Sequence, residues 1–181
     1  MLKNSSDSYG LVAKALHWLM ALLILTLIAV GIYMADLPDG DPSRPGIYNL
    51  HKSFGVVALL LIAVRLAWLR ISPAPALPAV FSGKERALVK ALQGLLYLFM
   101  LLVPISGYVM STAAGHPVNP FGLGELPALL GESKALGGFA HEAHEIMGYT
   151  ILLVIALHVA GALKHRLKDK GGESDILKRM L

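Results

Sequence analysis

The chain has 181 residues, of which 55% are hydrophobic and only 15% charged, with a mean hydropathy of +0.62; that balance is too apolar for a water-soluble domain of this size. The net charge of +4 does not come from a basic patch interleaved with aromatics, which excludes nucleic acid as the partner. The absence of cysteine excludes disulfides, thiolate-held iron–sulfur clusters and covalently attached haem.

What remains is an all-α integral membrane protein, a single four-transmembrane-helix bundle. The first apolar run, about 15–35, carries His17 near its start and is too long for a signal-peptide core, so it is expected to stay as a span. The turn-rich, acidic "MADLPDGDPSRPG" follows, then a second span over about 53–69 with His51 at its head. Pro73, Pro75 and Pro78 forbid regular helix after it. The basic stretch beyond them has amphipathic spacing that predicts a helix lying in the interface before span three, about 91–110. "STAAGHPVNPFGLGELPALLGESKALGG" is a long Gly/Pro-rich connection of the functional kind. The fourth span, about 146–163, has His144 before it and His158 inside it.

Loop charge predicts orientation. Lys3 and Lys14 precede span one; Arg65, Arg70, Lys84, Arg86 and Lys90 lie at or between the ends of spans two and three; six further basic residues follow span four. The other two loops hold only Arg44, Lys52 and Lys134, against Asp36, Asp39, Asp41, Glu125, Glu132, Glu142 and Glu145. By the positive-inside rule both termini are cytoplasmic.

Titratable rings inside spans are costly, so each histidine needs a reason. His144 and His158 are fourteen residues apart, which on a helix is roughly 21 Å of rise and about 40° of rotation, so both project from one face. Span one supplies His17 at the depth of His158, and span two supplies His51 at the depth of His144. Two levels with two imidazoles each do not suit tetrahedral zinc. They suit two planar macrocycles, each gripped by a pair of axial ligands to haem iron, and without cysteine the haem is noncovalent b-type. His141 in "HEAHE" is an alternative ligand to His144, but at seventeen residues from His158 it turns about 100° off the shared face.

These pieces resemble the bacterial cytochrome b561 family, small four-helix di-haem membrane cytochromes that include superoxide oxidase. "KALHWLMALLIL" is similar to its first-span ligand motif, "YNLHKSFGVVALLLIAVRL" to its second, "VPISGYVMSTAAG" to its third-span end and "HEIMGYTILLVIALHVAGALKH" to its fourth. The resemblance covers nearly the whole chain and implies that His17, His51, His144 and His158 are the axial ligands of two haem b. It further implies an inner-membrane protein passing single electrons between ubiquinone and the periplasmic side, in superoxide oxidase-like members from superoxide.

Arg65 lies fourteen residues after His51 and so points into the bundle near the cytoplasmic haem. Two readings stand for it, a haem propionate partner or a side chain snorkelling to lipid headgroups. Lys52 carries the same two readings at the outer haem. His165, beside Lys164 and Arg166, suits a quinone headgroup or a basic helix end against lipid phosphates. The acidic outer loops leave two outer partners open, superoxide or a docked redox protein, as for a haem-bearing subunit of a hydrogenase- or dehydrogenase-type complex. A colourless proton-coupled transporter is the competing class.

Overall fold

The computed structural model describes all 181 residues and is all-helical. Four long helices run α1 (Leu11–Ala35), α2 (Arg44–Ile71), α3 (Gly83–Ala113) and α4 (Lys134–Lys168), with single 3₁₀ turns at Pro120–Gly122 and Leu177–Arg179. All four are long and apolar enough to cross a membrane. At 25 to 35 residues and about 1.5 Å per residue they overshoot a hydrocarbon core of about 30 Å, so their polar ends stand in the headgroup layers.

Each helix encloses the span expected from hydropathy and extends it at its polar ends. The largest difference is before span three, where no separate interfacial helix forms. The amphipathic stretch is instead the opening of α3, because Ser82 starts that helix with a capping box: its hydroxyl accepts from the Glu85 amide, and the Glu85 carboxylate accepts from the Ser82 amide. Once nucleated at Gly83, the helix has no breaker until Pro104, which sits within it without ending it. Ser133 caps α4 in a similar way, through the Leu136 amide, and this early start brings both His141 and His144 onto the helix.

At one end, the terminal face, both chain ends meet the α2–α3 loop. The Asn4 amide donates to Ser72 Oγ, the Asn4 side chain to the Ser72 and Pro73 carbonyls, and the Tyr9 amide to the Arg179 carbonyl. At the other end, the loop face, the α3–α4 connection folds back over α2. There the buried Ser53 hydroxyl accepts from the Phe121 amide at 2.9 Å, and Phe54 meets Phe121 edge to face. Phe121 takes a left-handed φ of 54° to make this turn.

Packing is uneven. α4 lies along α3, α1 along α2, and α2 against α3, whereas neither α1 nor α2 packs closely against α4. Only 18 of 181 residues are buried, most of the long apolar side chains facing outward.

Candidate cofactor site

The histidines face each other between α4 and the α1–α2 pair. His17 on α1 stands opposite His158 on α4 with ring centroids 6.3 Å apart, and His51 on α2 opposite His144 on α4 at the same 6.3 Å. The pairing expected from depth is thus the pairing the helices make. No three His, Cys, Asp or Glu side chains converge in the structure. Two metal–imidazole bonds of about 2.0 Å, each extended by about 1 Å to its ring centre, place the centroids about 6 Å apart across one iron. A planar macrocycle supplying the other ligands fits this spacing and the missing α4 contacts.

At the loop-face pair, His144 Nδ1 donates to the Val103 carbonyl at 2.8 Å, with Ser106 Oγ 3.2 Å away. This carbonyl just before Pro104 fixes the tautomer, leaving Nε2 as the free lone pair, the usual second contact of a metal-binding imidazole. His51 Nδ1 is buried with no partner, an orphan polar atom that wants a donor or an acceptor supplied from outside the chain. Glycines press on both rings: a Cβ on Gly107 would come within 2.9 Å of His144 Cε1, and one on Gly31 within 3.3 Å of His51 Cε1. Gly107 therefore makes way for the His144 ring, whereas Gly55 faces open space.

That space is a cavity of about 1540 Å³ opening at the loop face, lined among others by His51, Lys52, Gly55, Gly107, His141 and His144, and larger than ordinary small-ligand pockets. His141 is exposed at its edge and takes no part in the facing pair. Lys52 Nζ, half-buried, donates to Ser111 Oγ at 3.3 Å and the Pro117 carbonyl at 3.2 Å, tying α2 to the long loop on the cavity wall. His116 is exposed at the same mouth, and Asn119 is occupied in the loop's own turn through the Gly124 amide.

At the terminal-face pair, Arg65 does point inward. Its Nε donates to Tyr97 Oη at 3.0 Å and its Nη2 lies 3.4 Å from His17 Nδ1. That approach holds the guanidinium charge beside the His17 ring. His165 is apart from the paired histidines: its ring stacks on Phe81, centroids 4.5 Å apart, over a small surface pocket shared with Glu85, Lys164, Lys168 and Asp169.

Sequence reasoning missed Tyr97, Ser106, the Val103 carbonyl and Gly31. Gly31 had a readable signal, since it follows His17 by fourteen residues and shares its helix face. The others come from α3, which carries no histidine to draw attention to it.

The prokaryotic cytochrome b561 family model matches residues 8–181. The chain is 34% identical over 178 residues to cytochrome b561 homolog 2 of Escherichia coli K12, covering 98% of this chain and 93% of that protein. It is 31% identical over 174 residues to cytochrome b562 of Cereibacter sphaeroides, covering 92% and 94% respectively. With a match of that extent over a four-helix membrane bundle, the chain belongs to the prokaryotic cytochrome b561 family, multi-pass inner-membrane cytochromes that move electrons by way of b-type haem.

Proposed function

We propose that the chain holds two haem b groups, one between His17 and His158 and one between His51 and His144, and carries single electrons across the membrane between a quinone and a donor on the opposite side. The observation that carries this reading is the pair of 6.3 Å histidine gaps, each bridging helices that do not pack on one another. Bound haem supplies the one-electron ferric/ferrous couple.

The chain's residues supply the rest. His144 is held by Val103 through Nδ1, and the low dielectric of the span makes every nearby charge count. Arg65 and Lys52 are the cations placed to meet propionates at the two levels. Orientation follows from loop charge: the terminal face, with its thirteen basic residues in and around it, is cytoplasmic. His165, Lys164 and Lys168 around the small pocket beside Phe81 offer the donors and the proton a quinone headgroup needs on reduction. On the periplasmic side the open cavity beside Lys52 and Arg44 admits a small donor such as superoxide. Two superoxide anions would give up one electron each to form two O₂, while ubiquinone takes two electrons and two protons to become ubiquinol.

A second reading, an electron-transfer subunit for a periplasmic redox protein, is favoured by one feature. Asp36, Asp39, Glu125, Glu132, Glu142 and Glu145 are all exposed on or near the loop face, a surface that attracts a cationic protein more readily than an anion. Two measurements separate these. Haem counted per purified chain should be two, falling to one in His158→Ala or His51→Ala; a single haem in the unmodified chain, or two retained in either variant, ends the two-site reading. Ubiquinone reduction driven by superoxide with the detergent-purified chain alone supports the first function, and its absence while a reduced cationic redox protein still delivers electrons supports the second.

A further inference from the structure

The last thirteen residues form a strap over the terminal face, and its far end reaches a residue next to a paired histidine. Asp169 closes α4 and accepts from the Ser174 amide and hydroxyl. Asp175, with no exposed surface, accepts from Arg166 Nη1 at 2.7 Å, from the Gly171 amide at 2.8 Å and from the Lys178 amide at 3.2 Å. Arg179 then ties the strap to two segments, donating to the carbonyls of Ser6 and Asp7 in the N-terminal segment and of Ala76 in the α2–α3 loop. This anchoring puts the Met180 carbonyl 3.1 Å from Trp18 Nε1, across 162 residues of sequence. The Trp18 ring in turn stands edge-on to His17, centroids 5.1 Å apart and planes at 83°.

An indole at a membrane interface ordinarily gives its N–H to headgroups or water. Here that donor is committed to the polypeptide, although Trp18 is 46% exposed, so the bond fixes which way the ring faces. With two side-chain torsions, one hydrogen bond and one neighbouring ring suffice to hold it. His17 then meets both the Trp18 ring and the Arg65 guanidinium, and it has no backbone carbonyl partner of the kind His144 has in Val103.

We propose that the strap, acting through the Met180 carbonyl and Trp18, is the positioning element that sets the orientation of His17, the counterpart at the terminal face of the Val103 contact at the loop face. The proposal rests on the two-haem reading above. Trp18 and the strap touch no reacting group; they act through His17, whose ring orientation and surroundings are among the protein's levers on haem potential.

The test is a redox titration of the purified full chain, followed optically and by the low-spin ferric spectrum. Trp18→Phe keeps a ring and deletes the donor. It should displace one of two haem components by at least threefold in its reduction equilibrium, about 28 mV for a one-electron couple, with the other unmoved and two haems still bound. His51→Ala, which leaves only the terminal-face haem, identifies the displaced component. Truncation after Lys170 removes the acceptor and should displace the same component equally; adding Trp18→Phe to the truncated chain should add nothing. If the truncated chain fails to insert, Arg179→Gln, which loosens the strap while keeping its length, replaces it with the same expectation. Unmoved potentials in Trp18→Phe, displacement of both haems alike, or simple additivity of the two changes overturns the proposal. One haem in the unmodified chain overturns the two-site reading instead.

Discussion

Replacing Gly107 with alanine tests how closely the α3 backbone and the His144 ring are fitted. The added Cβ would sit 2.9 Å from Cε1 and 3.0 Å from Nδ1 of that ring, about 0.5 Å inside ordinary contact, and the ring cannot swing away without lengthening its 2.8 Å bond to Val103. Overpacking of this kind costs about 1–3 kcal/mol. The helix-propensity gain of alanine over glycine, about 1 kcal/mol, stabilises the helix with or without haem and so does not offset a loss of ligand geometry. Affinity for the loop-face haem should therefore fall by roughly 5- to 150-fold. Gly31→Ala, whose Cβ would meet His51 Cε1 at 3.3 Å, should do the same more mildly, by less than about tenfold, because the ring needs to give by only a few tenths of an ångström. Gly94→Ala, with nothing within 4 Å, is the control and should leave haem binding unchanged. The measurement is titration of haem into the apoprotein, followed at the Soret band, with haem per chain counted at saturation. The reasoning fails if Gly107→Ala binds two haems as tightly as the Gly94→Ala control.

Three further outcomes follow from contacts outside the histidine pairs. Tyr97→Phe removes the acceptor for Arg65 Nε, a hydrogen bond to a charged group worth about 1.5–3 kcal/mol, and should lower thermal stability and shift the terminal-face haem potential with the loop-face haem unmoved. Ser53→Ala leaves the Phe121 amide without its partner at a cost of about 1–3 kcal/mol; amide exchange at Phe121 should rise with little change elsewhere. The Asp175 carboxyl sits at about 2 rather than 3.8: burial alone would raise it, and the Gly171 amide, Arg166 and the Lys178 amide outweigh that. Because the folded value is the depressed one, its contribution to holding the strap is complete above about pH 4 and is lost as pH falls toward 2. Limited proteolysis by an acid-active protease should cut the tail only over that window, and Asp175→Asn should be cut equally at pH 5.

Much of the bundle was legible because the membrane leaves a chain few choices. Backbone groups in hydrocarbon must bond within the segment, so four apolar runs read as four helices, and the 3.6-residue period places His144 and His158 on one face without any tertiary information. The helix ends lie where a local contact decides. Hydropathy ends span four's predecessor loop near Ile146, but the Ser133 cap begins α4 at Lys134; the window average cannot see one hydroxyl. The interfacial helix before span three was a correct amphipathic segment placed in the wrong element, since the Ser82–Glu85 capping box joins it to α3.

The same distinction separates the parts of the site. A ligand must be a histidine at a given depth, and that leaves a mark in the sequence. The groups that orient it are under no such restriction on residue type. For His144 the orienting group is a carbonyl that every residue carries, and for His51 the neighbour is the absence of a side chain at Gly31. For His17 they are a tyrosine-held arginine and an indole tied to a carbonyl 162 residues away. Pattern reading therefore finds the paired histidines before it finds the groups that orient them. On the two-haem reading proposed above, two haems with identical ligand pairs would differ in potential through those unlike surroundings alone.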